Sequence, residues 1–317
     1  MAEKIATRAA YGQALKELGA KYPNFVVFDA DLTASTMTKF FAKEYPDRFF
    51  NMGIAEGNMV TTAAGFSTCG YKAFVNSFAI FSSGRAWEQV RNSVAYPGMN
   101  VVVVGSHGGL SVGEDGATHQ ANEDIALMRA IPGMTVICPC DGNEMRCAVE
   151  ALMEFHGPAY LRMCRLAVDN VTAELPGYHF EIGKGCTLRD GSDVTIIATG
   201  LMVLKALDAA KLLEAEGISV RVIDMSTIKP LDEELVLRAA KETGCIVTSE
   251  EATILGGLGE AVAGYLSSVL PTPVIRHGVN DAFGRSGKAN DVLQAYGLTP
   301  EVIAEKARQA IALKKAR

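Results

Sequence analysis

The stretch "GIAEGNMV" at residues 53–60 contains a single carboxylate among small and apolar residues. No Lys or Arg lies near Glu56 in the sequence, and the apolar run "VTTAAGF" follows it. Because a carboxyl group in apolar surroundings resists ionisation, it can share or donate a proton at neutral pH. Glu56 is therefore a candidate for proton chemistry. The alternative is a glutamate in the first turn of a helix, where the helix dipole favours negative charge.

A second group of chemically useful side chains lies in the glycine-rich stretch "GSHGGLSVGEDGATHQANED", residues 105–124. It contains His107 and His119 with Glu114 and Asp115 between them. Histidines exchange protons near neutral pH, acidic neighbours can fix their tautomers, and glycines let the backbone approach a ligand. A solvated loop is the alternative. A metal site is less favoured, because the histidine spacing is long and no predicted helix presents both rings.

Two further pairs have a structural interpretation beside the functional one. Phe78 and Phe81 stand three apart at a predicted strand-to-helix junction, where they could pack in the core or wall a flat ring. Cys138 and Cys140 in "CPC" would lie on one face of a strand, but no second Cys/His pair at zinc spacing accompanies them. We interpret both cysteines as structural and predict no metal ligands in this chain.

Composition limits the function classes. The chain has 317 residues, of which 49% are hydrophobic and 21% charged, and this length suits two domains. Its net charge of −6 provides no basic field for a nucleic acid. No apolar run approaches the ~20 residues of a membrane span, and the N-terminal sequence lacks the apolar core of a signal peptide. With seven scattered cysteines, a reduced cytoplasmic enzyme is the prediction.

Short apolar runs alternate with helical patterns along the chain. The predicted strands of the first half are 24–31, 73–78, 100–107, 134–141 and 158–164. The alternation resumes at 193, with helices predicted at 201–216 and 231–243. Strand–helix–strand crossovers favour parallel pairing. The fold class is therefore α/β, with two tandem three-layer α/β domains at 1–170 and 193–317. Residues 171–192 form the linker, in which an extended segment at 178–189 packs on the second domain.

Polar residues follow the predicted strands of the first domain. Asp29 and Asp31, Ser106 with His107, Asp141, and Arg165 each come directly after an apolar run. Ligands of parallel sheets collect beyond the carboxyl ends of the strands. These four strand ends indicate an occupied cleft over the first half of the chain.

Four stretches together resemble a known family. They are "GIAEGNMV", "FVNSFAIFSSGRAWEQVRN", "GSHGGLSVGEDGATHQANEDIALMRAIPGMTV" and "IDMSTIKPLDEE". They resemble the C-terminal half of transketolases, thiamine-diphosphate enzymes, and in particular the separately encoded small subunit of a split transketolase. The resemblance covers nearly the whole chain. It implies a pyrimidine-binding domain followed by a transketolase C-terminal domain, and a cytoplasmic transferase of the pentose phosphate pathway.

The resemblance also implies roles around the cofactor. The glutamate corresponding to Glu56 hydrogen-bonds N1′ of the aminopyrimidine and thereby promotes removal of the proton from C2 of the thiazolium. Phe78 and Phe81 match an aromatic pair at the pyrimidine, with Phe81 the better stacking candidate. Asp31 matches an aspartate near the thiazolium. His119 matches a histidine that faces the reacting carbon.

Further matches concern the sugar substrate. Asp115 corresponds to an aspartate that binds the donor's C2 hydroxyl. The resemblance places the sugar phosphate on four residues: Arg8, Ser35, His107 and Arg165. Two arginines with hydroxyl and imidazole donors suit a phosphate dianion. Arg162 is an alternative to Arg165 in this role.

The sequence departs from the family pattern in three places. Gly57 follows the glutamate where a larger residue often stands, and Gly84 or Arg85 replaces a third aromatic. The sequence has no GDG motif, which in the family holds Mg²⁺ and the diphosphate; "EDGA", "CDGN" and "RDGS" come nearest. The resemblance therefore implies a partner subunit that carries the GDG domain, the metal and the diphosphate contacts, in an α2β2 assembly. This chain should be inactive alone.

Three alternatives remain open at this point. A 2-oxoacid dehydrogenase β subunit shares the architecture but does not need the phosphate residues. A deoxyxylulose-phosphate synthase fragment also shares it, although that enzyme normally comes as one long chain. A non-catalytic regulatory paralogue would bind a partner without turnover. The sequence does not specify which sugar phosphate is preferred.

Overall fold

The computed structural model describes residues 4–316. The strands of the first half are β1 (Ile5–Ala6), β2 (Phe25–Asp29), β3 (Phe49–Asn51), β4 (Lys72–Phe78), β5 (Val101–Ser106), β6 (Thr135–Ile137), β7 (Ala159–Arg162) and β8 (Ala167–Val168). Its helices are α1 (Thr7–Lys21), α2 (Thr33–Thr36), α3 (Lys39–Glu44), α4 (Glu56–Thr68), α5 (Trp87–Gln89), α6 (Asp124–Ala130) and α7 (Gly142–Glu154).

The second half continues the alternation. Its strands are β9 (Cys186–Arg189), β10 (Val194–Ala198), β11 (Val220–Asp224), β12 (Thr227–Lys229), β13 (Ile246–Thr253) and β14 (Val274–Val279). Its helices are α8 (Met202–Glu214), α9 (Glu233–Thr243), α10 (Leu258–Val269), α11 (Ala289–Ala295) and α12 (Pro300–Lys315). Within residues 4–316, no helix has the length and apolar character needed to cross a membrane.

Six strands of the first half and β12 of the second half build a seven-stranded sheet in the order β12-β6-β7-β5-β4-β2-β3. All neighbours in it pair in parallel except β12, which runs antiparallel to β6. The central strand β5, "VVVVGS", is buried along its whole length. Unbroken β-branched runs of this kind are typical of parallel strands covered on both faces. The predicted parallel sheet is confirmed.

The second half builds a five-stranded sheet in the order β14-β13-β10-β11-β9. Strands β10, β11, β13 and β14 are parallel, and β9 adds an antiparallel edge next to β11. β9 lies within the predicted linker, so part of the extended segment expected at 178–189 does pack on the second domain, as predicted.

Helices cover both faces of each sheet, which confirms the three-layer α/β class. Helices α1 and α7 pack on one face of the first sheet around Leu15 and Val149. Helices α8 and α12 cover the corresponding face of the second sheet around Ala206 and Ile303. The opposite faces of the two sheets share one apolar cluster, to which α4, α6, α9 and α10 contribute. The two halves are therefore joined through a continuous core.

The structure differs from the sequence-based expectations at two points of this junction. β6 ends at Ile137, so "CPC" is not in a strand, and Cys138 and Cys140 belong to different apolar clusters. Burial raises the pKa of the Cys138 thiol to about 12 and that of Cys140 well above its ordinary value. Residues 227–229 were assigned to the second domain, at 193–317, but they form β12, which completes the edge of the first sheet. Pairing with a distant strand is not visible in local sequence.

A buried acidic cluster also lies at the junction. One ligand atom each of Cys140, Glu144 and Asp224 lie within 4.8 Å of one another, and all three residues are buried. Glu144 accepts hydrogen bonds from the Tyr178 hydroxyl at 2.6 Å and from the Cys140 amide at 2.7 Å. Burial raises the pKa of both carboxyls, and the charge of Glu144 raises that of Asp224 further. The cluster brings residues of both halves of the chain together at the junction.

Candidate active site

The candidate site lies at the carboxyl edge of the first sheet, where its parallel strands end. Phe78 is the last residue of β4, and His107 follows β5 directly. Glu56 is the first residue of α4. Of the four strand ends predicted to line a cleft, the end of β5 places His107 against Phe78, the last residue of β4. Asp29 and Asp141 have structural roles instead, since Asp29 bonds the hydroxyls of Thr36 and Thr38 and Asp141 caps α7.

Glu56 is buried, with 1% of its surface exposed. Its two carboxylate oxygens accept hydrogen bonds from one guanidinium nitrogen of Arg85, at 3.0 and 2.9 Å. The Ser77 hydroxyl donates to the same carboxylate at 3.5 Å. The expectation that Glu56 has no basic neighbour is therefore wrong in space, although it is right along the sequence. Arg85 lies 29 residues after Glu56 in the sequence, at the end of a single π-helical turn, Phe81–Arg85, and contacts Glu56 in the fold.

Aromatic and imidazole rings form the wall next to this carboxylate. Phe78 and Phe81 lie parallel, with 9° between their planes and 6.1 Å between their centroids. His107 packs against Phe78 at 4.2 Å, and His119 stands edge-on to Phe81 at 5.3 Å. The Arg85 guanidinium lies over the Phe81 ring, 4.5 Å from its centroid. The structure thus brings five of the residues singled out in the sequence into one group.

His107 is held in an unusual backbone conformation, with φ of +57°. Its Nδ1 is 2.7 Å from the Ser106 hydroxyl. Burial, followed by the positive charges of Arg8 and Arg165, lowers the pKa of His107 to about 3. The ring is therefore neutral over the whole physiological range. It can donate or accept a hydrogen bond there without carrying a charge.

Two of the predicted phosphate residues, Arg8 and Arg165, lie close enough to His107 for their charges to lower its pKa. Arg8, on α1, donates to the Ser35 carbonyl on α2 at 3.0 Å. Burial and the nearby charge of Arg165 lower the pKa of Arg8. Arg165 donates to the Glu114 carboxylate at 2.6 Å. Arg8 and Arg165 together place positive charge beside His107, and such a field favours an anion.

Arg162 has a different environment from Arg165. It is 2% exposed, and its Nε donates to Asp124 at 2.7 Å. A second guanidinium nitrogen donates to the Glu251 carbonyl at 2.9 Å. Gly108 and Gly109 pass so close to Arg162 and Glu251 that a side chain at either would collide, at 2.6 Å in both cases. Arg162 therefore packs directly against Gly108 in the glycine-rich segment.

Two predicted residues lie at the periphery. Asp31 is exposed, has a φ of +63°, and accepts a hydrogen bond from Asn51 at 3.1 Å. Asp115 is exposed at the end of the short 3-10 helix Leu110–Asp115. Among the described residues, no hydrogen bond or ring contact links either carboxylate to the four rings of the wall, Phe78, Phe81, His107 and His119. Their assignments remain predictions.

Two domain families match the chain. The transketolase pyrimidine-binding domain matches residues 3–170, and the transketolase C-terminal domain matches residues 183–303. The chain belongs to the transketolase family. Among its relatives is a putative transketolase C-terminal section of Methanocaldococcus jannaschii, 51% identical over 94% of both chains. A 6-deoxy-6-sulfo-D-fructose transketolase subunit of a Clostridium species is 42% identical over 95% of this chain and 93% of its own.

Solved structures support the same family. A split-gene transketolase described as an inactive beta4 tetramer superposes with a TM-score of 0.91 and 50% identity, covering 98% of this chain and 99% of that one. The transketolase family depends on thiamine diphosphate. The residues present here fit the aminopyrimidine half of that cofactor, because a buried carboxylate and an aromatic face stand side by side.

The three near-matches to the GDG motif do not offer a comparable metal site. Asp115 lies exposed in the 3-10 helix. Both carboxylate oxygens of Asp141 are used, by the Glu144 amide and by Thr172. Asp190 pairs with Arg221 at 3.4 Å. These aspartates therefore have structural partners or no supporting ligands.

Sequence reasoning missed the contact between Arg85 and Glu56. Arg85 was noted only as a replacement for an aromatic residue. A basic residue four positions after a candidate stacking ring was the available signal, since a guanidinium in that place can reach the same ligand site.

Proposed function

We propose that this chain is the C-terminal subunit of a split transketolase, which transfers a two-carbon ketol unit from a ketose phosphate to an aldose phosphate. The observation that supports it most is the buried Glu56 carboxylate beside the Phe81 ring, in a chain whose sequence has no GDG motif. Thiamine diphosphate supplies the nucleophilic carbon for such a transfer. Mg²⁺ and the diphosphate would be held by an N-terminal partner subunit, in an α2β2 assembly.

The proposed roles follow from the surroundings of each side chain. Glu56 would share a proton with N1′ of the aminopyrimidine, and Phe81 would pack on that ring, with Phe78 behind it. His119 stands at the edge of Phe81, where it would face the reacting carbon. His107 is neutral and would hydrogen-bond the sugar. Asp31 and Asp115 would reach the thiazolium and the donor hydroxyl from the periphery.

The sugar phosphate would lie between Arg8 and Arg165, with Ser35 beside them. This pair suits any singly or doubly charged anionic end of a sugar, because two guanidinium groups offer several donors in a fixed geometry. The relative from Clostridium acts on a sulfonated sugar. We propose a phosphorylated sugar for this chain. The buried contacts of Arg162 with Asp124 and the Glu251 carbonyl support Arg165 over Arg162 as the phosphate ligand.

The test is reconstitution. The chain is purified alone and together with a candidate N-terminal subunit encoded next to it, each with thiamine diphosphate and Mg²⁺. Ketol transfer from a ketose phosphate to an aldose phosphate is followed by chromatography of the products. Activity is expected only in the mixture. Turnover by a preparation proven to contain this chain alone would refute the division of the cofactor site.

A further inference from the structure

One side chain occupies both halves of the proposed pyrimidine site. The guanidinium of Arg85 lies over Phe81 at 4.5 Å and donates to both oxygens of Glu56 at 3.0 and 2.9 Å. A guanidinium is flat, cationic and rich in N–H donors. An aminopyrimidine offers two of these features to the same two partners: a flat face for Phe81 and, when N1′ is protonated, an N–H for Glu56.

We propose that Arg85 is an internal occupant of the aminopyrimidine site, which must leave Glu56 before thiamine diphosphate can bind there. This proposal rests on the proposed function. In the cofactor-free chain Arg85 would act as a gate, meaning that it blocks the aminopyrimidine site until it moves away from Glu56. Arg85 would therefore lower the affinity for the cofactor.

The local structure allows this movement. Arg85 is 51% exposed, whereas its partner Glu56 is 1% exposed. One end of the ion pair is therefore fixed and the other can swing into solvent. Gly84 stands beside it, and a side chain there would meet only Ile80, at 3.9 Å. The π-helical turn Phe81–Arg85 ends at Arg85 itself, and single turns of this kind are frequent at functional sites.

The contact also protects the empty site. A buried carboxylate without a partner is costly, so Arg85 stabilises Glu56 while the cofactor is absent. A ligand that binds only the open state has its apparent dissociation constant raised by the inverse of the open fraction. If the closed state is favoured by a few-fold, removal of Arg85 should tighten cofactor binding by about three- to tenfold.

The experiment measures thiamine diphosphate binding to the reconstituted complex by titration calorimetry in the presence of Mg²⁺. Three forms are compared: the unmodified complex, Arg85→Ala and Arg91→Ala. Arg91 is an exposed arginine whose guanidinium donates only to the neighbouring Asn92 at 2.6 Å among the contacts of the described residues. Its loss changes the net charge equally, and the cofactor is an anion, so Arg91→Ala should leave affinity unchanged or slightly weaker.

Arg85→Ala is expected to bind the cofactor about three- to tenfold more tightly and with a faster association rate. Equal or weaker binding by Arg85→Ala, relative to Arg91→Ala, would overturn the proposal, because Arg85 would then either contribute to cofactor affinity or have no effect on it. If Arg85→Ala fails to fold, Arg85→Lys serves instead. Lysine keeps the charge but loses the flat face, and binding should again tighten.

The outcomes separate the two proposals. A complex with unmodified sequence that binds no thiamine diphosphate refutes the proposed function, and this inference with it. Suppose instead that the unmodified complex binds the cofactor, that Glu56→Gln loses this binding, and that Arg85→Ala leaves the affinity unchanged. That result refutes only the proposed role of Arg85 and leaves the proposed function standing.

Discussion

The Glu56 carboxylate is buried, and both of its oxygens accept hydrogen bonds from Arg85. The Glu56 side chain is 1% exposed, whereas that of its partner Arg85 is 51% exposed. Glutamine has nearly the same shape but cannot exchange a proton with a ring nitrogen. The chemistry assigned to Glu56 is thus separable from its packing.

Replacement Glu56→Gln in the reconstituted complex should therefore reduce kcat by ~10²–10⁴-fold, the usual cost of losing a proton-transfer group. Circular dichroism and subunit assembly should be unchanged. Glu305→Gln is the matched control, since Glu305 is exposed on α12 and bonds only to Gln309 there among the described contacts. Near-normal kcat in Glu56→Gln would assign the proton transfer to another group.

The arginines allow a second test at this scale. Arg165→Ala should raise the KM for a phosphorylated donor about ten- to a hundredfold, because a charged hydrogen bond contributes roughly 1.5–3 kcal/mol. The KM for hydroxypyruvate, a short donor without phosphate, should change little. The control is Arg146→Ala, which removes an exposed arginine paired with Glu17 at 3.2 Å. Equal losses with both donors would make Arg165 structural or catalytic.

At the scale of elements, one helix contact fixes the distance between two proposed phosphate residues. Gly12 of α1 lies against the chain that follows α2, and a Cβ there would be 2.4 Å from the Met37 carbonyl oxygen. Since α1 carries Arg8 and α2 carries Ser35, this close approach determines their 3.0 Å contact. Glycine is needed here for space and not for backbone conformation.

Gly12→Ala should lower the free energy of unfolding by ~1–3 kcal/mol, because a rigid backbone atom blocks the new methyl group. Gly264→Ala is the opposite case. Gly264 is also inside a helix, α10, but nothing lies within 4 Å of its added Cβ. Gly264→Ala should raise the free energy of unfolding by ~0.5–1 kcal/mol, because alanine has a higher helix propensity than glycine. Urea unfolding of both variants would contradict this if Gly12→Ala were the more stable.

The elements also mark the limit of sequence reasoning. A strand such as β5 can be predicted from the sequence, because four successive valines strongly favour a buried β-strand. Helix α1 is readable from its apolar spacing. The π-helical turn before α5 and the antiparallel pairing of β12 with β6 are not, because each depends on the path of the whole chain. For the same reason His107 and Phe78 could be named as candidates, while the contact of Arg85 with Glu56 could not.

At the scale of the whole molecule, the buried cluster at the junction couples stability to pH. Both Glu144 and Asp224 have raised pKa values in the folded chain. Above pH ~4, where an exposed aspartate is ionised, the folded chain holds more protons than the unfolded chain. Folding stability from this cluster is therefore full below that pH, and it is lost as the pH rises through the folded pKa values.

Asp224→Asn should remove part of this dependence, because the amide is neutral at every pH and can donate to Glu144. Above pH ~5, the free energy of unfolding of the chain should fall less steeply with pH, by up to ~1.4 kcal/mol per pH unit for one proton. Asp208→Asn, on the exposed face of α8 beside Lys211, should not alter the slope. Parallel curves for Asp224→Asn and the unmodified chain would show that the cluster does not titrate in this range.

The placement of β12 has a genetic consequence. Thr227–Lys229 lies after the second sheet has begun, yet it closes the edge of the first sheet, and Lys229 donates to the carbonyls of Arg129 and Ile131 at 2.9 and 2.6 Å. A hybrid gene that joined the first half of this chain to the second half of a relative would import a foreign edge strand. We therefore expect such a hybrid to fold only when the imported strand can still pair with β6.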